Sequence, residues 1–178
     1  ILAIVTQPDK RRSRGNKING SPVKQKGVEL GVRVFTPKSV KEDLEFQSQI
    51  ACLPADVYVV VAFGQILPPT VLDNPPLGCW NIHASLLPNW RGAAPIQWSI
   101  ISGQKYTGAA IMAMEKGLDT GPVLLQKRTD IGLVENAEDL ANRLCILSSE
   151  LIRESLKLIE MAGHGTLKER HKRLNLIN

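Results

Sequence analysis

Two side chains suited to stabilising an acyl-transfer transition state lie two residues apart near the middle of the chain. Asn81 and His83 belong to a short apolar segment that reads as a β-strand, and a loop rich in Pro and Gly follows it. Residues two apart on a strand share one face of the sheet. We therefore expect both side chains to project side by side, and Asp119, in a Gly-Leu-Asp-Thr-Gly segment, is a candidate to join them.

These three residue types match the chemical needs of acyl transfer to an amine. The reaction passes through a tetrahedral intermediate with a negatively charged oxygen, to which an amide N–H such as that of Asn81 can donate. An imidazole exchanges protons near neutral pH, so His83 can move a proton or add positive charge. A carboxylate only accepts, so Asp119 can orient His83 and stabilise its imidazolium.

A structural role is the alternative for each of these residues. A single His on a strand is often a hydrogen-bonded core residue, and an Asp between glycines is often a turn former. Ser85 lacks the G-x-S-x-G surroundings of an activated nucleophile, which favours a loop-stabilising hydroxyl. The sequence has no P-loop, G-x-G-x-x-G or H-E-x-x-H pattern, and its three cysteines lack C-x-x-C spacing. These absences disfavour nucleotide hydrolysis, metalloprotease chemistry and a zinc site.

Strand and helix patterns alternate around these residues. Apolar β-branched runs predict strands, and the run over 57–63 reads as a strand covered on both faces. Cap signals at Ser21, Ser39 and Asn136 predict helix starts. The predicted strands are 1–6, 32–36, 57–63, 79–83, 107–114 and 123–131, the predicted helices are 21–31, 39–52, 93–101 and 136–161, and 7–20 is a polar loop. This alternation predicts an α/β fold with a mostly parallel sheet and helices on both faces, with ligands beyond the carboxyl ends of its strands.

Positive charge is concentrated towards the two ends of the chain. Residues 1–41 contain ten Lys or Arg and two acidic residues, whereas 42–160 contain eight basic and fourteen acidic residues. The densest block consists of Lys10, Arg11, Arg12, Arg14 and Lys17. Such a block predicts contact with a polyanion such as RNA, with a solvated basic loop as the alternative.

Two further features concern the surroundings of the protein. No apolar run approaches the roughly 20 residues that span a bilayer, so we expect no membrane partner. The scattered cysteines suit reduced thiols in the cytoplasm, with an organelle as the alternative.

The segment from Asn81 to Gly92 resembles the signature of the folate-dependent formyltransferases, and the segment from Gly117 to Val123 resembles their second motif. The resemblance implies a Rossmann-like fold, a catalytic set of Asn81, His83 and Asp119, and N10-formyltetrahydrofolate as the formyl donor, without a metal. It implies that the pterin ring of the donor contacts Phe63, Gly64, Gln65, Ile66, Leu67, Pro68, Gly117, Leu118 and Gly121. It also implies a substrate loop formed by Ser85, Leu86, Leu87, Pro88, Arg91 and Gly92.

The amino-terminal segment narrows the resemblance to one branch of the family. Residues 5–10, 14–17 and 21–24, together with 91–97, are similar to the branch that acts on methionyl-tRNA. The resemblance implies formyl transfer to the α-amino group of methionine on initiator tRNA, for translation initiation. It also implies that the basic block contacts the tRNA acceptor arm. Trp98 stands where we expect Arg from the family pattern.

The domain organisation follows from the same resemblance, and two rival functions stay open. We predict a monomer with a catalytic domain over 1–162 and a basic linker or tail over 163–178. We expect the family's opening strand and first helix before Ile1 and its carboxy-terminal barrel after Asn178. One rival is a formyltransferase or formyltetrahydrofolate hydrolase that acts on an amino-sugar or on water, which would need no basic block. The other is a non-catalytic tRNA-binding fragment, against which the intact Asn81, His83 and Asp119 argue.

Overall fold

A computed structural model describes residues 1–11, 18–163, 167–174 and 176. These residues divide into two compact units, the first formed by 1–55 and 63–74 and the second by 56–62 and 75–178. Both units combine strands with helices, so the predicted α/β class is confirmed. Among the described residues, no helix is both long and apolar enough to cross a membrane.

The first unit is organised around a parallel pair of strands. Its elements in chain order are β1 (Ala3–Val5), β2 (Lys10–Arg11), β3 (Ile18–Asn19), α1 (Pro22–Glu29), β4 (Arg33–Phe35), α2 (Leu44–Ala51) and α3 (Pro69–Leu72). Strand β1 pairs in parallel with β4, and β2 pairs antiparallel with β3. The parallel pair with α1 between its strands in sequence is the crossover unit that the alternating pattern predicts.

Helix α1 begins and packs as its sequence dictates. The Oγ atom of Ser21 accepts a hydrogen bond from the amide of Lys24 at 3.0 Å, which confirms the predicted cap. Gly27 lets the helix lie close to the strand pair, because a β-carbon there would lie 2.8 Å from side-chain atoms of both Ile4 and Val34. A larger residue at this position would push the helix off the strands.

Helix α2 begins four residues later than the sequence indicates. Ser39 does bond the amide of Glu42, at 3.3 Å, but this contact belongs to a turn. The helix cap is Asp43, whose Oδ1 accepts from the amide of Phe46 at 2.9 Å. The later start carries the ring of Phe46 to that of Phe35, edge to face at 5.6 Å between centroids, a contact that favours this start over the earlier one.

One prediction for the first unit was wrong, and one of its elements was not predicted. Within the predicted loop over 7–20, β2 and β3 form a short antiparallel pair, in which Lys10 is opposite Asn19 and Arg11 is opposite Ile18. Residues 12–17 lie outside the described residues. Helix α3 has no counterpart in the predicted elements, because a single turn is too short to show helical periodicity.

The second unit is organised around a four-stranded mixed sheet. Its elements in chain order are β5 (Tyr58–Val61), β6 (Cys79–His83), α4 (Pro95–Ile101), β7 (Tyr106–Ala113), β8 (Val123–Asp130), α5 (Ala137–Ala162) and α6 (Leu167–Leu174). The strand order is β5-β6-β7-β8. Strand β6 is parallel to β5 and antiparallel to β7, which is antiparallel to β8. In this register Ala113, the last residue of β7, pairs with Trp80, so the loop between β7 and β8 begins beside the amino-terminal end of β6.

Helix α5 covers β7 and β8 and closes the core of the second unit. Asn136 caps it, because its Oδ1 accepts from the amides of Glu138 and Asp139 at 2.8 and 3.0 Å. An apolar stripe of the helix packs into this core: Leu140, Leu144, Leu151 and Ile159 are buried and Leu147 is partly buried. Trp80 of β6 is buried in the same core, and its indole N–H donates to the carbonyl of Leu77 at 2.9 Å.

Strand β5 differs from its prediction. A strand covered on both faces would have no exposed side chains, but Val59 and Val61 are 41% and 57% exposed. Within the described sheet, β5 comes last in the order and has β6 as its hydrogen-bonded neighbour. An unbroken apolar run therefore does not distinguish an edge strand with one exposed face from a fully covered strand.

Helix α6 lies in the segment that the sequence assigns to a linker or tail. Its Leu174 packs against the core of the second unit. Arg170 is buried, and its Nη1 donates to the carbonyl of Pro76 at 2.5 Å. Burial lowers the pKa of Arg170 from its ordinary value, and the nearby charge of Arg173 lowers it further. The sequence pattern indicates this helix only weakly, because basic residues outnumber apolar ones along it.

Candidate active site

Strand β6 brings the first two candidate residues to one face of the sheet of the second unit. The strand covers the predicted span, and Asn81 and His83 stand two positions apart on it. Asn81 is partly buried and His83 is buried, with 5% of its surface exposed. Asn81 is the middle residue of the strand and His83 is its last, and neither is exposed.

Asp119, in the loop between β7 and β8, meets both of them. Asn81 Nδ2 donates to its Oδ1 at 3.1 Å, and His83 Nδ1 lies 3.7 Å from its Oδ2. The amide of Gly92 also donates to Oδ2, at 2.9 Å. The structure thus brings the three residues together, and the carboxylate bonds both Asn81 and the loop that follows β6.

The second ring nitrogen of His83 contacts the chain as well. His83 Nε2 lies 2.9 Å from the backbone carbonyl oxygen of Trp90. A carbonyl oxygen only accepts hydrogen bonds, so the proton of this bond belongs to Nε2. When Nδ1 is also protonated, the imidazolium faces an acceptor on each side, the carbonyl of Trp90 and the carboxylate of Asp119.

Three residues around these contacts have a left-handed backbone conformation, which is unfavourable for residues with a β-carbon. Trp90, Ala94 and Asp119 have φ angles of 57°, 58° and 50°, in the left-handed region. A non-glycine residue in such a sparsely populated region costs about 1–3 kcal/mol, and it persists only where the surrounding structure enforces it. Three such residues at one site indicate that the position of the Trp90 carbonyl and the Asp119 carboxylate is fixed by the rest of the fold.

The ring of Trp90 is fixed by two further side chains. Its Nε1 donates to Gln104 Oε1 at 2.9 Å, and it stacks on the ring of Trp98, with centroids 6.2 Å apart and planes 10° from parallel. Sequence reasoning missed the part played by Trp90 and Gln104. No sequence signal reports a backbone carbonyl as a partner, although Trp90 does lie within the motif that pointed to the site.

The predicted substrate loop is partly an internal structure. Ser85 is fully buried, and its Oγ donates to the carbonyl of Asn89 at 2.5 Å, as expected for a loop-stabilising hydroxyl. Leu87 packs in a small apolar cluster, and the peptide bond from it to Pro88 is cis. Arg91 is exposed. Of this loop, Arg91 therefore offers a charged group to solvent.

The glycines of the Asp119 loop have neighbours within the chain. A β-carbon at Gly121 would overlap the backbone carbonyl of Ala113, and one at Gly117 would overlap the hydroxyl of Thr120. These contacts give both glycines a packing role, in addition to the ligand approach that the sequence suggests. Leu118, between them, is 71% exposed.

The predicted donor segment from Phe63 to Pro68 lies in the first unit. The carbonyl of Phe63 accepts from Gln7 Nε2 at 2.7 Å, and Gly64 has a φ of 73°. Gln65 Oε1 accepts from the amide of Val40 at 2.7 Å. These contacts hold the segment in place. Its other three residues are Ile66, which is 81% exposed, Leu67, and Pro68, which precedes α3.

The predicted tRNA-binding residues are only partly described. Lys10 and Arg11 form β2, so their backbone is in the β2–β3 pair. Arg12, Arg14 and Lys17 lie outside the described residues. In the described part of the chain, no group of three or more His, Cys, Asp or Glu side chains is placed to hold a metal ion.

The fold of this chain is that of formyltransferases. A solved structure of phosphoribosylglycinamide formyltransferase from Anaplasma phagocytophilum superimposes with a TM-score of 0.73 at 22% identity, over 89% of this chain and 74% of that chain. Residues 1–156 match the family model described as formyl transferase. The chain belongs to the formyl transferase family, which confirms the resemblance seen in its motifs.

Two curated relatives match nearly the whole chain. Methionyl-tRNA formyltransferase from Prochlorococcus marinus (strain MIT 9313) is 56% identical over 177 residues, which are 99% of this chain and 52% of the relative. Methionyl-tRNA formyltransferase from Synechococcus sp. (strain CC9311) is 55% identical over 178 residues, 100% of this chain and 52% of the relative. The chain therefore spans about half the length of the curated relatives that it matches.

Proposed function

We propose that this chain transfers the formyl group of N10-formyltetrahydrofolate to the α-amino group of methionine on initiator tRNA. The observation that carries the proposal is the contact of Asp119 with both Asn81 and His83 in a chain of the formyl transferase family. The names of relatives at 55–56% identity support methionyl-tRNA as the acceptor. The location in the cytoplasm and the monomeric state stay predictions.

The proposed reaction forms one carbon–nitrogen bond and breaks another. The α-amine attacks the formyl carbon as the free base, and a model α-amino pKa of about 8 leaves an appreciable free-base fraction at neutral pH. The formyl oxygen becomes an oxyanion in the tetrahedral intermediate. The intermediate then collapses, the bond from the formyl carbon to N10 breaks, and N10 gains the proton that the attacking amine loses.

The three clustered residues have distinct roles in this reaction. Asn81 uses one amide hydrogen to bond Asp119, and its second hydrogen can donate to the oxyanion. His83 adds positive charge beside the oxyanion and moves the proton between the two nitrogens. Asp119 orients the amide of Asn81 and stabilises the imidazolium of His83.

The donor and the tRNA engage other segments in this proposal. The loop around Leu118 contributes to binding the pterin ring of the donor, because the exposed apolar side chain of Leu118 suits an aromatic ligand. The segment from Phe63 to Pro68 stays a predicted part of the donor site. The basic block that includes Lys10 and Arg11 binds the phosphates of the acceptor arm.

The proposal is tested by incubating the purified chain with N10-formyltetrahydrofolate and methionyl initiator tRNA and measuring formylmethionyl-tRNA. We expect product from the native chain. We expect a rate loss of about 10²–10³ in Asn81→Ala, because an oxyanion donor is removed, and a loss at least as large in His83→Ala. Asn142→Ala removes an exposed amide on α5 and is the matched control, expected to stay within about twofold of the native rate.

Four outcomes would overturn the proposal. Near-native rates in Asn81→Ala and His83→Ala would remove the catalytic assignment. Release of formate without formylation of the tRNA would favour a hydrolase, and formylation of a nucleotide amino-sugar in place of the tRNA would favour another acceptor. Salt-sensitive tRNA binding without either reaction would favour the non-catalytic binding fragment.

A further inference from the structure

The carbonyl that bonds His83 belongs to a residue in an unfavourable conformation. Trp90 has a φ of 57°, and this left-handed backbone directs its carbonyl oxygen to Nε2 of His83 at 2.9 Å. A tryptophan has no intrinsic preference for this region, which glycine or asparagine would enter at lower free energy. Contacts of the Trp90 side chain must therefore supply the stabilisation that keeps the carbonyl in place.

Gln104 makes a polar contact with the side chain of Trp90. Its Oε1 accepts the indole N–H of Trp90 at 2.9 Å. Gln104 follows the end of α4 and is held there, because its backbone N–H donates to the backbone carbonyl of Ser99 at 3.1 Å. Ser99 is fully buried in α4, and its Oγ donates to the carbonyl of Ile96 at 2.8 Å. The acceptor for the indole is thus anchored to an ordered helix end.

Trp98 makes the second contact, from the same helix. Its ring stacks on that of Trp90, with planes 10° from parallel. Stacked aromatic pairs contribute stability beyond that of the area that they bury. The end of α4 and its following turn therefore clamp the ring of Trp90 by one hydrogen bond and one stacking contact, and both disfavour a rotation of its backbone.

We propose that Gln104 is a positioning residue that fixes the tautomer of His83 through Trp90. The catalytic role of Gln104 rests on the proposed function, whereas its effect on the tautomer of His83 does not. By holding the indole, Gln104 keeps the Trp90 carbonyl against Nε2 and the single proton of the neutral ring on that nitrogen. Nδ1 then faces Asp119 and is the nitrogen that takes up and releases the second proton.

We expect loss of Gln104 to move the proton of neutral His83 from Nε2 to Nδ1. Without an acceptor for its indole N–H, the ring of Trp90 turns to another partner, because a partly buried donor without a hydrogen bond is destabilising. The carbonyl leaves Nε2, and the carboxylate of Asp119 becomes the stronger acceptor near the ring. The proton of neutral His83 then moves to Nδ1, and the nitrogen that exchanges protons is displaced from its place beside Asp119.

The test compares Gln104→Leu with Gln104→Glu by ¹⁵N NMR of the histidine ring nitrogens. In the native chain at high pH we expect the proton of His83 on Nε2, with the signals assigned by their loss in His83→Gln. In Gln104→Leu we expect a shift of the tautomer population to Nδ1–H. Gln104→Glu keeps an oxygen acceptor, so we expect the native pattern. Gln126→Leu, an exposed glutamine on β8, is the control and leaves His83 unchanged.

A kinetic measurement separates positioning from substrate binding. In the formyl-transfer assay we expect kcat to fall by about tenfold in Gln104→Leu, as for other residues that orient a functional histidine. KM for the donor and for the tRNA should stay within about twofold, and Gln104→Glu should restore most of kcat. A KM effect without a kcat effect would assign Gln104 to substrate binding and overturn the proposal.

The two measurements distinguish failure of this inference from failure of the proposed function. If no variant or native chain formylates tRNA, the tautomer measurement still decides the role of Gln104. Unchanged His83 signals in a folded Gln104→Leu variant would overturn the inference. If Gln104→Leu does not fold, Trp98→Leu removes the stacking contact on the same ring, and it must shift the tautomer in the same direction for the inference to stand.

Discussion

The carboxylate of Asp119 is a single acceptor shared by donors from β6 and from the loop that follows it. Asn81, the amide of Gly92 and His83 all face it, at 3.1, 2.9 and 3.7 Å. Only two oxygens serve these groups, so a shift of Asp119 would disturb all three. The loop between β7 and β8 therefore has to hold its position closely, and single residues in it can affect the site without touching a ligand.

Gly121 is such a residue, and we predict that Gly121→Ala destabilises the chain. Its β-carbon would overlap the backbone carbonyl of Ala113, which cannot move without disturbing β7. Overpacking of this kind costs about 1–3 kcal/mol. The free energy of unfolding from urea titration measures the effect.

The matched control for this substitution is Gly132→Ala. A β-carbon there meets Glu135 at 3.4 Å, an ordinary contact, and the φ of Gly132 is not in the left-handed region. We expect a change within about 0.5 kcal/mol. Equal stability of both variants would show that the loop yields to the added methyl group.

Among the elements, α5 starts at a cap that the sequence predicts with a specific mechanism. Asn136 accepts from two orphan amides of the first turn. We predict that Asn136→Ala lowers the free energy of unfolding by about 1 kcal/mol, the usual loss for a cap. Asn142→Ala, on the exposed face of the same helix, should leave it nearly unchanged. Equal losses in the two variants would contradict a capping role.

Glu135, the residue before this cap, makes the stability of the fold depend on pH. Burial raises the pKa of Glu135, but the hydrogen bond and charge of Arg143 and the amide of Gly132 outweigh it and hold that pKa below its ordinary value. A carboxyl with a lowered folded-state pKa stabilises the fold above its unfolded pKa of about 4.3, and this contribution disappears as pH falls through the folded-state value.

We therefore predict that Arg143→Gln lowers the free energy of unfolding at neutral pH and has a smaller effect in acid. Arg143 is 44% exposed, so solvent screening limits the difference to about 0.5 kcal/mol. Urea titrations at several pH values measure it, with Arg153→Gln as the exposed control. A difference that persists unchanged in acid would mean that Arg143 acts by packing alone.

The sequence predicted the elements whose signals are local and missed those set by contacts across the fold. The bounds of β6 and the caps of α1 and α5 follow from residues within a few positions of each other. The cap of α2 moved to Asp43 because two capping residues lie close together and packing of Phe46 favours the later one. The left-handed backbone of Trp90 depends on Gln104, fourteen residues away, and no local pattern announces it.

At the scale of the whole molecule, charge is divided along the chain. The first 41 residues are strongly basic, whereas the segment that contains Asn81, His83 and Asp119 is acidic overall. The chain also crosses between its two units three times, after residues 55, 62 and 74. Binding of a polyanion and acyl-transfer chemistry therefore draw on different parts of the sequence, and we expect substitutions to separate them.

We predict that replacing Arg12, Arg14 and Lys17 together by Ala lowers the affinity for tRNA. The remaining affinity should also depend less on the salt concentration. For each phosphate that the variant no longer binds, the slope of log binding constant against log salt should fall by about 0.7–0.9. Filter binding at several salt concentrations measures the slope. The control variant replaces three basic residues that are exposed, Arg153, Lys157 and Lys172, by Ala. An unchanged slope in the first variant would favour the solvated-loop alternative.

The stacked indoles of Trp90 and Trp98 have an optical consequence. Two indoles 6.2 Å apart couple their electronic transitions, and this coupling gives paired circular dichroism bands of opposite sign when the two transition moments are twisted relative to each other. The third tryptophan of the chain, Trp80, is buried in the core around β6. Because Trp90 also supplies the carbonyl bonded to His83, this coupled signal makes the geometry around the histidine readable in solution without any added label.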